Sequence, residues 1–554
     1  MGGPPAAQAD TVFGIFERSA AQYPDHEYLH IPASACAGYA AGPLSFSYAA
    51  TLERVESLRE CYASAGIGPG MRVALLLENR PVYFFHWFAL NALGASVVPI
   101  NPDYRASELA YLLGHSEAVL AVVIPERVDA VSAAATGLRI PILDASSELS
   151  DIARLNGVAR DAATPLEREC ALLYTSGTTG QPKGCMLSNE YFRHAGMRYM
   201  TRGGYVRVEP GKARVLTPLP LFHMNAMGGT AIGMAMSGGC VIQLDRFHPK
   251  TWWTDVARTR ATGIHYLGVM PAILLGLPPA PEERAHCVLY GSGANVEPVH
   301  HAAFEARFGF PLIEAWAMTE TGSSGSISAD TEPRHVGMRC FGRPRAEVEV
   351  RLVDEHGNDV PEGSPGELWV RRAGPNPALG FFSGYLKDPE ATAAGWAGGW
   401  WHTGDVVCRG PDGSLFFVDR RKNVIRRSGE NISALEVETV LLRHPDIAQV
   451  AVTAVADPVR GEEVLACIVT RDSASGAQGN TMNDARGIVE WCLGEMAYFK
   501  APGWIAFVDA LPLTATQKVK RGDLKAFAGS LMDNGDCLDM RVMKRRPTTS
   551  GNTT

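Results

Sequence analysis

The stretch Tyr174-Thr175-Ser176-Gly177-Thr178-Thr179-Gly180-Gln181-Pro182-Lys183-Gly184 packs hydroxyls, glycines and one lysine directly behind the apolar run Ala171-Leu172-Leu173. Such a loop is suited to cradling phosphate. Glycines let backbone N–H groups approach the anion, hydroxyls donate further hydrogen bonds, and the lysine offsets charge. The lysine precedes a glycine and no Gly-Lys-Ser/Thr follows, so this is not a Walker A loop. A second glycine-bearing stretch, Gly291-Ser292-Gly293-Ala294-Asn295-Val296, lacks the third glycine of a dinucleotide fingerprint, which removes the main support for hydride-transfer chemistry.

The elements that must position these loops follow from pattern. Arg72 to Leu77 is a short apolar run suited to a buried strand, Pro81 stands at a helix start, the helix runs to Leu93, and Gly94 stops it before a strand over Ser96 to Ile100. This strand-helix-strand alternation predicts a parallel α/β architecture and recurs to about residue 340. From Glu347 to Val370 the residues alternate around the turn Asp354-Glu355-His356-Gly357-Asn358, which predicts antiparallel hairpins in a β-rich subdomain. After the basic run Asp419 to Lys422 a compact α+β set begins. Ser433-Ala434-Leu435-Glu436 is a capping box opening a helix, and strands are expected near Val450 to Val455 and Val464 to Val469. The expected division is a large domain over 1–419, a small domain over 420–535, and a flexible basic tail over 536–554.

At 554 residues the chain exceeds what one core supports, and 46% hydrophobic against 20% charged residues describes a globular protein. A net charge of −8 supplies no general attraction for nucleic acid, so any anion must be bound by local sites. The eleven cysteines are scattered without C-x-x-C spacing and read as reduced core residues of a cytoplasmic protein. Val82 to Ile100, the most apolar window, is interrupted by His86, Asn91, Gly94 and Pro99 and falls short of a membrane span.

The loop Tyr174 to Gly184 resembles the signature of the ANL superfamily, which comprises acyl-CoA synthetases, peptide-synthetase adenylation domains and luciferases, and further motifs of that superfamily follow in order to Arg521. The resemblance implies an ANL fold: a large domain of parallel α/β and β-rich subdomains, then a small mobile α+β domain. It implies that Thr175, Ser176, Gly177, Thr178, Thr179, Gly180 and Lys183 bind the nucleotide phosphates. His223, in Pro220-Leu221-Phe222-His223-Met224-Asn225, would gate the acyl pocket without acid-base work. Gly291, Ser292, Gly293 and Ala294 would lie between adenine and acyl group. Ala315-Trp316-Ala317-Met318-Thr319-Glu320-Thr321 resembles the superfamily's Tyr-Gly-x-Thr-Glu pattern with Trp316 for Tyr and Ala317 for Gly. Trp316 would stack on adenine, Thr319 would bond phosphate, and Glu320 would hold Mg²⁺. Asp405, in Trp400-Trp401-His402-Thr403-Gly404-Asp405, would accept hydrogen bonds from the ribose hydroxyls, and Arg420 would reach the nucleotide. Lys422 would be the hinge, Gly429 and Glu430 would meet the pantetheine arm of coenzyme A, and Lys518 would be the catalytic cation. Gln517 stands before it where the superfamily usually has Gly, which would stiffen that loop.

The activity so implied is activation of a carboxylic acid by ATP to its acyl-AMP and transfer to coenzyme A, with ATP, Mg²⁺, coenzyme A and a small acid as partners and a homodimer left open. The rival is a stand-alone adenylation enzyme loading a carrier-protein thiol; a regulatory protein without catalysis is disfavoured by the retained Glu320, Asp405, Arg420 and Lys518. Within the superfamily the segments around Asp388 to Ala393 and Phe417 to Ser433 look most like crotonobetaine/carnitine-CoA ligases. The expected acyl pocket, Phe222, His223, Tyr266, Val269, Met270 and Trp316, is apolar and aromatic. Such a wall suits a quaternary ammonium held by cation–π attraction or an uncharged alkyl or aryl chain.

Overall fold

The computed structural model describes residues 10–146, 155, 164–175, 181–296, 298–420, 424–471, 482–512, 519 and 521–545. Contacts divide the chain into two compact units. The first takes in residues 1–101, 112–174 and 184–421, and the second residues 102–111, 175–183 and 422–554.

The first unit is built on three sheets. In a seven-stranded one, Arg72–Leu76 pairs in parallel with both Ser96–Pro99 and Ala118–Val123, and Glu169–Thr175 joins beyond Ser96–Pro99. The strand-helix-strand unit read from the sequence is present. Its helix, Pro81–Ala92, is apolar on nearly every side and accordingly buried on nearly every side, with Phe84, Trp87 and Phe88 shut off from solvent. An eight-stranded sheet places Arg214–Thr217, Gly263–Leu267, Tyr290–Ala294 and Leu312–Trp316 side by side in parallel, so their carboxyl ends share one edge. In open α/β sheets ligands bind at that edge. The third sheet is antiparallel: Val348–Val353 pairs with Gly366–Arg372, then Trp401–Arg409, then Leu415–Arg420. This is the expected β-rich subdomain.

The second unit has its own core around Ile425, Val437, Ile447, Val464 and Ile505. Its long hairpin pairs Ile447–Asp457 with Gly461–Thr470, and helices Ala434–Leu441, Met482–Glu495 and Arg521–Asn534 accompany the sheet. One expectation is corrected here. Residues 536–545 are not a flexible tail: Leu538–Asp539 pairs with Trp504–Phe507, and Met540 and Lys544 are buried. Arg541 lies 4.5 Å over the Trp504 ring and pairs with Asp457 and Asp539. Two of the charges that read as solvent-loving, Arg541 and Lys544, find carboxylates more than eighty residues back in the chain, at Asp457 and Glu463. No helix among the described residues is long and apolar enough to cross a membrane.

Candidate active site

The edge shared by Tyr290–Ala294 and Leu312–Trp316 gathers several expected residues within the first unit. Gly291 pairs with Leu312 and Gly293 with Glu314. A Cβ at Gly293 would stand 2.2 Å from the Tyr266 carbonyl oxygen, so only glycine permits this approach of strand to strand. Glu314 then fixes the chain beyond Ala294, accepting from the Asn295 and Val296 N–H groups at 3.0 and 3.1 Å and from the Tyr266 hydroxyl at 2.9 Å. Burial raises its carboxyl titration, against the pull of those donors. Tyr266 and Met270 are buried, Val269 and Phe222 partly so. The Phe222 and His223 rings lie 4.7 Å apart, and burial pushes the His223 imidazole down to about 4, so it is neutral at pH 7. Its carbonyl accepts from Met227 N at the start of the π-helical segment Asn225–Ile232.

Trp316 and Asp405 are brought together from different sheets. Trp316 Nε1 donates to Asp405 Oδ2 at 2.8 Å, and Asp405 is fully buried. Asp405 N donates to Thr403 Oγ1, whose hydroxyl in turn donates to the Leu368 carbonyl, while Gly404, at φ 69°, donates its N–H to Glu367 Oε1. The adjacent-strand register sets the backbone of Arg420 opposite Asp405. Thr319 is anchored through its carbonyl by the Tyr191 hydroxyl at 3.0 Å. Glu320 is anchored twice, its carbonyl accepting from Phe382 N at 2.9 Å and its Oε1 from the Tyr385 hydroxyl at 2.7 Å. Burial and the Glu320 charge hold the Tyr385 hydroxyl firmly protonated. A Mg²⁺ bridging substrate phosphates needs only one or two protein carboxylates. Glu320, with a second oxygen beyond the one Tyr385 holds, fits that demand, and no group of three or more His, Cys, Asp or Glu stands ready for a metal among the described residues.

The expected phosphate loop is described only at its ends: Thr175 closes the strand Glu169–Thr175 and Lys183 opens Lys183–Ser188. Ser176, Gly177, Thr178, Thr179, Gly180, Lys422 and Lys518 lie outside the described residues, as does the side chain of Arg420. In the second unit Ser428 and Gly429 form a two-residue turn with φ of 51° and 88°, joining Val424–Arg427 to Glu430–Ser433. Both central residues being left-handed is the requirement of a type I′ hairpin, and it sets Gly429 at an exposed tip. Arg427 behind it donates to Glu463 at 2.7 Å, and Glu463 also takes Lys544.

Sequence reasoning passed over Glu314, Tyr385 and Tyr191. None of them lies in a recognised motif, and each finds its partner far along the chain, Tyr191 at Thr319, Tyr385 at Glu320 and Glu314 at Tyr266.

The family model "AMP-binding enzyme" matches residues 16–386, and "AMP-binding enzyme C-terminal domain" matches residues 436–518. The chain is similar to the sulfoacetate–CoA ligase of Cupriavidus necator, 33% identical over 92% of this chain and 97% of that protein. It is also similar to the crotonobetaine/carnitine–CoA ligase of Citrobacter koseri, 31% identical over 87% of this chain and 93% of the other. Among solved structures, a malonyl-CoA ligase with methylmalonyl-CoA and AMP bound superposes with a TM-score of 0.69 at 28% identity, covering 92% of this chain and 98% of that one. The amide bond synthetase McbA of Marinactinospora thermotolerans superposes with a TM-score of 0.77 at 26% identity, covering 92% and 99%.

Proposed function

The chain belongs to the AMP-binding enzyme family, and from that membership we propose how its own residues divide an acid–thiol ligation between them. The enzyme activates a carboxylic acid with ATP to an acyl-AMP and transfers the acyl group to coenzyme A, releasing AMP and pyrophosphate. Attack of a carboxylate on the α-phosphorus brings two anions together, so the site must supply fixed positive charge and exact placement. Lys518 is the cation assigned to that step. Thr175 to Lys183 cradles the departing pyrophosphate, and Thr319 bonds a phosphate oxygen. Mg²⁺, when bound, neutralises polyphosphate charge, and Glu320 holds it.

The observation that carries this assignment is the Trp316–Asp405 hydrogen bond, with Glu320 pinned by Tyr385 close by in the chain. It fixes an indole face for adenine and orients one carboxylate for the ribose hydroxyls. The neutral His223 suits a steric gate beside the acyl carbonyl, since an imidazolium there would compete with Lys518 for the carboxylate. For the second half-reaction the small domain turns at Lys422, withdrawing Lys518 and presenting the Gly429 and Glu430 hairpin to the pantetheine arm. The free thiols, most of them buried, fit a reducing cytoplasm.

The acid is left between opposites. The relatives named above act on sulfoacetate, whose tail is an anion, and on carnitine, whose tail is a quaternary cation. The test of the ligase reading is AMP and thioester formation from ATP, Mg²⁺, coenzyme A and a panel of acids. AMP release that depends on coenzyme A is the expected result. Adenylation of an acid with no transfer to coenzyme A would instead favour the carrier-protein acceptor.

A further inference from the structure

Arg198 and Arg202 share one carboxylate. Arg198 Nη2 donates to Asp330 Oδ2 and Ser328 Oγ, both at 2.8 Å, and Arg202 Nη2 donates to Asp330 Oδ1 at 2.8 Å. Their side chains are 9% and 8% exposed. Two buried guanidiniums against one aspartate leave a positive charge over. Arg345 adds another. Its Nη2 is spent on the carbonyls of Ser323 and Ser326, its Nε has no partner, and its nearest carboxylate, Glu347, is half-exposed and 3.9 Å away. Burial and the Arg198 charge push the Arg345 guanidinium down to about 10, against the opposing pull of Glu347 and Asp330, so burial and like charge outweigh the carboxylates around it.

Unsatisfied polar atoms gather in the same region. Ser324 is 2% exposed and its Oγ has no partner; His194 Nε2 likewise has none. Ser324 and His194 both face Gly380, where a Cβ would stand 2.2 Å from Ser324 Oγ and 2.8 Å from the His194 ring. Buried polar groups without a protein partner are rare in a finished interior and are met by a bound water, an ion or a polar ligand group. The cluster is wired to the walls of the active site. Arg202 Nη1 donates to Ser292 Oγ at 2.8 Å, within Tyr290–Ala294, and the Ser323 carbonyl held by Arg345 lies three residues after Glu320.

We propose that the acid activated here carries a second anionic group, a sulfonate or a second carboxylate, held by Arg345 and Arg198 while the other carboxylate is adenylated. The inference rests on the ligase reading above. A quaternary ammonium would add a further positive charge to arginines that already exceed their carboxylates, and an uncharged chain would leave the orphaned donors unsatisfied.

The experiment measures kcat/KM of the full chain for sulfoacetate and malonate beside butyrate and crotonobetaine, at fixed ATP and coenzyme A. The expected preference for the dianions is about tenfold or more, the scale of one charge-assisted hydrogen bond. Arg345→Gln should lower kcat/KM for the preferred dianion by about tenfold and leave butyrate within about threefold, with Arg345→Lys recovering part of the loss. Sulfoacetate ahead of malonate identifies a sulfonate subsite, and the reverse a carboxylate subsite. Butyrate or crotonobetaine turning over as well as the dianions, or Arg345→Gln lowering every acid alike, overturns the proposal. Failure of every acid to give AMP overturns the ligase reading itself, and this inference with it.

Discussion

The indole N–H of Trp316 points at Asp405 Oδ2 from 2.8 Å across 89 residues of sequence, and the carboxylate it orients is fully buried. A side chain assigned to stack on adenine thereby also aims the group assigned to the ribose. Trp316→Phe keeps an aromatic face and removes the hydrogen bond. The expected outcome is a rise in KM for ATP of about tenfold, matching one hydrogen bond to a charged group, with KM for the acid little changed. An unchanged KM for ATP would detach the pair from nucleotide binding.

Tyr385 is placed to position Glu320, not to touch substrate. Tyr385→Phe deletes the 2.7 Å donor and leaves the ring's contacts with Phe382 and Trp401. The Mg²⁺ concentration for half-maximal adenylation should rise by about tenfold or more, the scale of a lost partner to a metal-holding carboxylate. A purely structural role would lower thermal stability and leave the Mg²⁺ titration where it was.

Lys518→Ala should abolish acyl-AMP formation and spare thioester formation from presynthesised acyl-AMP. Loss of a charge-stabilising group of this kind costs about 2.7 to 4 kcal/mol, a hundredfold to a thousandfold in rate. Single-turnover assays of the two half-reactions separate the effects. Adenylation at near wild-type rate would remove Lys518 from its assigned role.

Acid lability has a definite source in His86, which is buried and takes the Tyr62 hydroxyl against Nδ1 at 2.6 Å. Burial pushes its imidazole down to about 4 from the ordinary 6.5. Between those values only the unfolded chain takes up the proton, so this stability is present in full above pH 6.5 and is lost as pH falls toward 4. One unit below the unfolded value a single such group costs about 1.4 kcal/mol. Wild type should therefore lose about that much more stability between pH 7.5 and 5.5 than His86→Asn, whose amide oxygen still accepts from Tyr62. Urea midpoints at the two pH values measure it, and parallel changes in both proteins would refute it.

Sequence alone determined whatever depends on neighbours along the chain. The strand-helix-strand around Pro81, the hairpin of Val348–Val353 with Gly366–Arg372 and the helix opening at Ala434 follow from periodicity, breakers and turn chemistry, which act over a few residues. The order of the chemical motifs was equally visible, because each is a short string. Tertiary structure decided which charges compensate each other. Glu320 meets Tyr385 from 65 residues away, Arg198 meets Asp330 from 132, and Lys544 meets Glu463 from 81. The expected pocket lining is aromatic and apolar, drawn from the recognised motifs and residues near them, whereas Arg198, Arg202 and Arg345 stand outside every motif. Burying a guanidinium is costly unless something pays the charge, and only the folded arrangement shows that one aspartate has been given to two of them.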